Sequence, residues 1–310
     1  MEKMAIRDAY GNALKELGAK NEKVVALEAD VGGSTKSILF GKEYPERYFE
    51  VGISEINMVN MAAGMAREGL IPFVNTFSTF LSTRGSDPIL SLIGYDHLNV
   101  KLAGTYVGLT DSYDGASHHA ITDVAWLRAI PGMVVITPSD PILTKKAVFA
   151  AADYDGPVYL RLSRAPAPVL YTPETRFEIG KGICFKEGKD VTIAVTGTLL
   201  SKAVAAAELL EAEGISAEVL DFPCVKPLDN ELVLNSVKKT GCIVTIEENV
   251  PYGGLFSAVT ELLAKEFPAP ADCIGAEDYA ESGDYEQLLK HYGYSPENLA
   301  AKAKALIARK

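Results

Sequence analysis

The sequence predicts an α/β protein: a mostly parallel sheet flanked by helices, followed by a second, smaller α/β domain. Three observations predict it. Short β-rich runs alternate with helical runs along the N-terminal half. Several of the helical runs open on residues suited to a helix N-terminus. A proline-rich stretch then breaks the rhythm, and the same alternation restarts beyond it. Strands that alternate with helices pair in parallel through crossover connections, with helices covering both faces.

In chain order, MEKMAIRDAYGNALKEL reads as an amphipathic helix without a signal-peptide core. The strand candidates are VVALEA (24–29), YFEVG (48–52), IPFVN (71–75), NVKLAG (99–104), MVVIT (133–137) and VYLRL (158–162). Ser54 precedes the run EINMVNMAAGMARE, whose apolar and small residues predict a helix buried on most sides. Thr122 precedes DVAWLRAI, and Asp140 precedes a helix with Pro141 at its first position, where a missing N–H is harmless. Residues 165–181, APAPVLYTPETRFEIGK, hold three prolines and predict an extended crossover. Then come VTIAVTG, a helix SKAVAAAELLEAEG with Ser201 as N-cap and Gly214 as stop, SAEVLDF, CIVTIEE, a helix near 254–266, and DCIGA. The expected division is a first domain over 1–170, a linker over 171–189 and a second domain over 190–310.

Composition narrows the function. With 310 residues, 48% hydrophobic and 23% charged, the chain has apolar material for two ordinary cores. A net charge of −11 argues against a nucleic-acid surface, and no apolar run approaches a membrane span. Cys184, Cys224, Cys242 and Cys273 are widely spaced, lack a CxxC pair and fall in or beside strand-like runs. Buried free thiols in a reducing cytoplasm are expected.

Two nucleotide motifs fail. VGGSTKS lacks the glycine before Lys36 that a phosphate loop needs, and PYGGLF is no dinucleotide fingerprint. DSYDGASHHAITD (111–123) places His118 and His119 side by side in a chain with four histidines. Adjacent side chains point apart, and no further ligands cluster at metal spacing, so no metal site is expected. From the residues alone, one histidine points inward and the other lies at the surface. Glu55 opens its helix directly after a strand, at the carboxyl end where open α/β sheets bind ligands. The helix dipole could hold it as a structural carboxylate; half-buried, it would instead have a raised pKa suited to proton exchange. Phe77 and Phe80, three apart after a strand, suit either core packing or stacking on a flat heteroaromatic ring.

Taken together, FEVGISEINMVNMAAGMA, PFVNTFSTFLSTR, YDGASHHAITDVAWLRAIPGMVVITPSD and LRLSR, in this order and spacing, resemble the transketolase family. The likeness is to the C-terminal subunit of a transketolase split into two polypeptides. VTGTLLSKAVAAAELLEAEGISAEVLDFPCVKPLD and YAESGDYEQLLKHYG resemble the family's C-terminal domain, so nearly the whole chain is covered. The resemblance implies the thiamine diphosphate-binding pyrimidine-domain fold and a transferase moving a two-carbon ketol unit from a ketose phosphate to an aldose phosphate. The family holds the diphosphate and Mg²⁺ through a Gly-Asp-Gly motif, which this sequence lacks. An N-terminal-type partner subunit carrying that motif is therefore implied, with self-association in an α₂β₂ assembly.

Residue roles follow from the same resemblance. Glu55 is similar to the glutamate that hydrogen-bonds the aminopyrimidine and favours its imino tautomer. Phe77, Phe80, Arg84 and Asp30 stand at cofactor-side positions. His118 resembles the histidine that meets the donor's hydroxyl groups, and Asp114 an aspartate on a substrate hydroxyl. Arg7, Ser34 and Arg164 match sugar-phosphate contacts. The plain alternatives are a solvated helix face for Arg7 and an interdomain salt bridge for Arg164. One position departs: where the family usually has a further histidine at the substrate mouth, this chain has Tyr106, neutral and bulkier. A modified or branched sugar phosphate becomes a plausible substrate. Related alternatives are the E1 β subunit of a 2-oxo acid dehydrogenase, a deoxyxylulose phosphate synthase-like enzyme and a non-catalytic paralogue. DGASHHAITD lacks the Gly-rich loop and Gln-His pair expected of the E1 subunit.

Overall fold

The structure, a computed structural model, describes residues 2–310. Its strands are β1 Lys3–Ala5, β2 Val24–Glu28, β3 Tyr48–Glu50, β4 Ile71–Phe77, β5 Lys101–Thr105, β6 Val134–Ile136, β7 Val158–Leu162, β8 Pro166–Pro168, β9 Ile183–Lys186, β10 Val191–Val195, β11 Ala217–Asp221, β12 Cys224–Lys226, β13 Ile243–Ile246 and β14 Ala271–Ile274. A seven-stranded sheet runs β12-β6-β7-β5-β4-β2-β3 and a five-stranded sheet runs β14-β13-β10-β11-β9. Within these two sheets pairing is parallel except where β12 joins β6 and β9 joins β11; the separate β1–β8 pair is antiparallel. The α/β architecture expected from the alternation is therefore present.

Successive strand residues explain why helices cover both faces of the first sheet. Val25, Leu27, Val74 and Leu102 enter one core, while Val24, Ala26, Phe73 and Ala103 enter another. Neighbours along a strand point to opposite faces, so each core lies under its own helical layer. The first of these cores continues through Leu220, Phe222, Val237 and Val259 of the C-terminal half, so the two sheets share buried apolar surface.

Several expectations need correction. β12, read as part of the second domain, is an antiparallel edge strand of the first sheet, with Cys224 opposite Ile136. The proline-rich crossover holds a short strand, β8, which pairs with β1 so that Ala5 faces Pro166. Proline is tolerated there because a two-stranded ribbon is all edge. The helix after β10 is Leu200–Ala212, so Ser201 lies in its first turn and caps nothing; a 3₁₀ turn at Gly197–Leu199 begins it instead. Gly197 has φ of +68°, which turns the chain before the helix and moves its start upstream. Ser54 and Thr122 precede their helices without a side-chain cap, whereas Asp140 accepts from Leu143 N at 2.8 Å. The helix Glu55–Arg67 is not buried on most sides: Ile56, Asn57, Asn60 and Gly64 are exposed. Of the four thiols, Cys224 and Cys242 are buried and Cys184 and Cys273 half-buried.

Buried carboxyls bear on stability. Burial pushes Glu28, Asp221 and Glu247 each up to about 7. Unfolded carboxyls titrate near about 4, so between about 4 and 7 the folded state binds more protons and stability falls as pH rises. Carboxylates shifted the other way, such as half-buried Glu16 and exposed Glu187, are held down by lysine partners that solvent screens. Asp111, pushed up to about 6, adds to this trend, while buried His119 and, above about pH 7, Lys101, pushed down to about 7 by burial, oppose it. The urea midpoint is expected to be lower at pH 7 than at pH 5.5, and Glu28→Gln should narrow the gap. A profile that rises or stays flat over this range would contradict the account.

Candidate functional site

The parallel registers level the carboxyl ends of the central strands. Glu28 faces Asn75, Phe77 faces Thr105, and Thr105 faces Leu162. The segments that leave β2, β4, β5 and β7 therefore emerge side by side, at the edge where such sheets bind ligands. Most of the residues singled out in the sequence lie on them.

Tyr106 joins them. Its ring stacks on Phe77 with centroids 4.2 Å apart and planes 28° apart. The guanidinium carbons of Arg7 and Arg164 lie 5.1 Å and 5.0 Å from its centroid. Arg7 Nη1 donates to the Tyr106 hydroxyl and, at 3.0 Å, to the carbonyl oxygen of Ser34. Ser34 thus meets Arg7 through its backbone. Pairing of β1 with β8 makes this possible: it brings Arg7 N to 3.2 Å from Ser163 O, beside Arg164. Tyr106 has φ of +61°, a left-handed conformation that costs a bulky residue about 1–3 kcal/mol. Its ring contacts hold that strain in place.

A second run of contacts leads from Phe77 to Glu55. Phe77 and Phe80 have centroids 5.7 Å apart, and His118 sits edge-on to Phe80 at 5.2 Å. Arg84 lies over Phe80 at 4.0 Å and donates to Glu55 Oε1 at 2.6 Å. Glu55 is only 5% exposed, whereas Arg84 is open to solvent. A buried carboxylate thus borders an aromatic platform.

The two histidines part company, as the residues alone suggest. His118 is half-buried among the phenylalanines, with Nδ1 3.0 Å from Ser117 Oγ. His119 is buried, neither ring nitrogen has a partner, and burial lowers its pKa. Asp114 is exposed. Asp30 stands apart: its side chain is exposed, and its backbone N–H donates to Glu50 Oε1 at 2.8 Å.

The structure adds residues that sequence reasoning missed. Asp111 is fully buried and its Oδ1 pairs with Arg164 at 2.6 Å. Burial, then neighbouring Asp114, raises its carboxyl to about 6, against the pull of Arg164. Glu28 fixes the turn that carries Ser34: it accepts from Thr35 Oγ1 at 2.7 Å and from Ser37. A glutamate inside the apolar run VVALEA was a visible signal. Glu248 reaches across from the C-terminal half, accepting from Leu109 N at 3.2 Å and from the Tyr285 hydroxyl at 3.0 Å. Gly283 N donates to Ser112 O at 2.8 Å, so the second domain grips the loop after β5. Behind the aromatic platform, buried Asp123 accepts from Ser78 at 3.0 Å, Tyr159 at 2.5 Å and Arg161 Nε at 2.7 Å.

A cavity of about 980 Å³ lies elsewhere, between the N-terminal helix and the linker around Lys20, Phe149 and Phe177. In the aromatic platform Phe77 and Tyr106 are buried, and Phe80 and His118 are half-buried. Chemistry marks it as the site: it gathers a buried carboxylate, stacked rings, a histidine and three guanidinium groups.

Comparisons with known proteins agree with this architecture. The transketolase pyrimidine-binding domain matches residues 2–168, and the transketolase C-terminal domain matches residues 180–299. A chain named for a transketolase C-terminal section, from Methanocaldococcus jannaschii, is 42% identical over 96% of this chain and 94% of its own length. The 6-deoxy-6-sulfo-D-fructose transketolase subunit SqwH of Clostridium sp. (strain MSTE9) is 38% identical over 100% of this chain and 97% of its own. A solved structure described as a split gene transketolase, inactive beta4 tetramer, has a TM-score of 0.91 and 43% identity, covering 99% of both chains.

Proposed function

The chain belongs to the transketolase family, and on that premise we propose that it is the pyrimidine-side subunit of a two-chain transketolase. It transfers a two-carbon ketol unit from a ketose with a distal anion, in the simplest case a ketose phosphate, to an aldose phosphate. The observation that carries this reading is the run Glu55–Arg84–Phe80–Phe77–Tyr106.

The residues fit half of a thiamine diphosphate site. A buried carboxylate beside an aromatic platform suits a flat ring with a protonatable nitrogen. When bound, the cofactor supplies the nucleophilic carbon and the electron sink for carbon–carbon cleavage. Glu55 holds a proton at the ring nitrogen, and Phe77 and Phe80 orient the ring. His118, with Nδ1 turned to Ser117, offers its other nitrogen to substrate hydroxyls, and Asp114 stands at the same mouth. Asp30 joins the cofactor side through the end of β2. Arg7, Ser34, Tyr106 and Arg164 receive the distal anion. Mg²⁺ and the diphosphate fall to the partner. Among the described residues one acidic cluster has ligand spacing, Cys184–Glu187–Glu218, on the second sheet. It suits a metal poorly: Lys239 pairs with both glutamates, and burial pushes the thiol up to about 12.

The domain division near 171–189 and a cytoplasmic setting belong to this proposal; no helix among the described residues is long and apolar enough to cross a membrane. Self-association fits the exposed face of helix Glu55–Arg67. Ile56 on that face and Ile53 just before the helix are 54% and 75% exposed, apolar side chains that an interface would cover. The split-gene relative, described as a tetramer, supports the reading.

The isolated chain is expected to show no ketol transfer, and turnover is expected to appear on mixing with an N-terminal-type subunit. A coupled assay with ketose and aldose phosphates, plus thiamine diphosphate and Mg²⁺, reads this out. Strong turnover by the isolated chain would refute the half-enzyme reading. The Clostridium relative makes a sulfonated ketose a second candidate donor.

A further inference from the structure

We propose that Asp111 is a specificity-determining residue, which occupies Arg164 in an ion pair and so sets the charge accepted at the distal end of the substrate. This rests on the transketolase reading above and deepens it.

Arg7 and Arg164 flank one tyrosine ring, at 5.1 Å and 5.0 Å. Two free guanidinium groups so placed would match a dianion, since each can grip it bidentately. They are not equally free. Arg164 Nη1 is bonded to Asp111 Oδ1 at 2.6 Å. Asp111 is fully buried, and its other oxygen has no hydrogen-bond partner, so the carboxylate keeps Arg164 rather than turning to water. Arg7 uses Nη1 on Ser34 O and the Tyr106 hydroxyl, but its Nε is buried with no acceptor. A buried N–H without an acceptor is costly, and an anionic oxygen would satisfy it. The groups at this end therefore sum to one positive charge: Arg7 and Arg164 against Asp111. Exposed Asp114, close enough to raise the Asp111 carboxyl, adds negative potential at the mouth.

A phosphate monoester carries about 1.5 to 2 negative charges at pH 7. A sulfonate, the anion of a strong acid, carries one. The site matches the single charge, and the Asp111 carboxylate opposes the second. A plainer role is also conceivable for Asp111, that of tying the loop after β5 to the segment after β7. The two roles differ in outcome: a mere tie acts on both donors alike.

The test uses the assembled two-subunit enzyme with fructose 6-phosphate and 6-deoxy-6-sulfofructose as donors. Asp111→Asn is expected to shift the ratio of kcat/KM values about tenfold toward the phosphate, the effect of one charge several ångströms away at the dielectric of a protein surface. The shift should appear in KM. Adding Arg164→Gln should erase it, because the cation that Asp111 occupies is then gone. Asp111→Ser, checked by thermal unfolding, serves as the second variant should the asparagine protein fold poorly. An unmoved ratio, or equal losses on both donors, overturns the proposal while leaving the transketolase reading intact. Absence of ketol transfer from either donor by the wild-type pair sinks that reading and this inference together, and is seen before any variant is made.

Discussion

Glu55→Ala in the assembled two-subunit enzyme is expected to lower kcat by about 100-fold or more, the usual range for loss of a positioned acid or base. Its fold should survive. The alanine leaves Arg84 without its partner, but Arg84 is 46% exposed and water can solvate it. The loss should therefore appear in turnover and not in the unfolding midpoint. Glu55→Gln sharpens the experiment. Glutamine keeps the volume and still accepts from Arg84, yet cannot hold the proton at a ring nitrogen as a carboxylate does. Equal losses from alanine and glutamine would assign the effect to the carboxylate's chemistry rather than to packing. Activity within about threefold of wild type in either variant, too small a change for a proton-transfer group, would remove Glu55 from the proposed role.

The largest effect on stability is expected at Asp123. Its side chain is fully buried and bonds Arg161 through both oxygens, at 2.7 Å and 3.2 Å, with Ser78 and Tyr159 also donating. Asp123→Ala leaves the buried Arg161 cation without its counter-charge, which costs about 3–5 kcal/mol in comparable cases. Arg161 also donates to the carbonyls of Ala120 and Glu248, at 2.9 Å and 2.8 Å, so the damage spreads to the contact between the two halves. Urea unfolding followed by circular dichroism measures the loss. A change below about 1 kcal/mol would mean that the pair is far better solvated than its burial indicates. Because Ser78 directly follows Phe77, the aromatic platform should loosen too, and cofactor-dependent turnover should fall at temperatures where the variant is still folded.

Most of the fold was legible because local pattern governs it. The runs at 24–29, 71–75 and 158–162 are strands at those places, and Asp140 caps as its position suggests. What escaped is long-range. Asp111 meets Arg164 across 53 positions, and Asp123 meets Arg161 across 38, with nothing local to announce either partner. The strand at Cys224–Lys226 reads like any short β run, and no periodicity says which sheet will claim it. The helix after Ser54 misled for a different reason. Ile56 facing solvent and Met58 facing the core are equally apolar, so composition alone cannot separate a core face from a bare one. At the site, family-like spacing pointed to Arg7, Tyr106, Phe77, Phe80, His118, Arg84 and Arg164, which touch one another in sequence, whereas Asp30 remains outside that network. The acids that hold the others in place, Glu28 and Glu248, went unassigned because they contact loops, although Glu28 stands out within the apolar run VVALEA.

The migration of Cys224–Lys226 into the first sheet has a consequence for how the molecule is made. During synthesis the N-terminal sheet emerges with β6 as an unprotected border, and the segment that seals it arrives only after β10 and β11. Until then the nascent chain displays a row of unpaired amides and carbonyls that invites foreign strands. The protein is thus stitched shut from its far end, and a translation product that stops at the linker would leave the ribosome with an open seam.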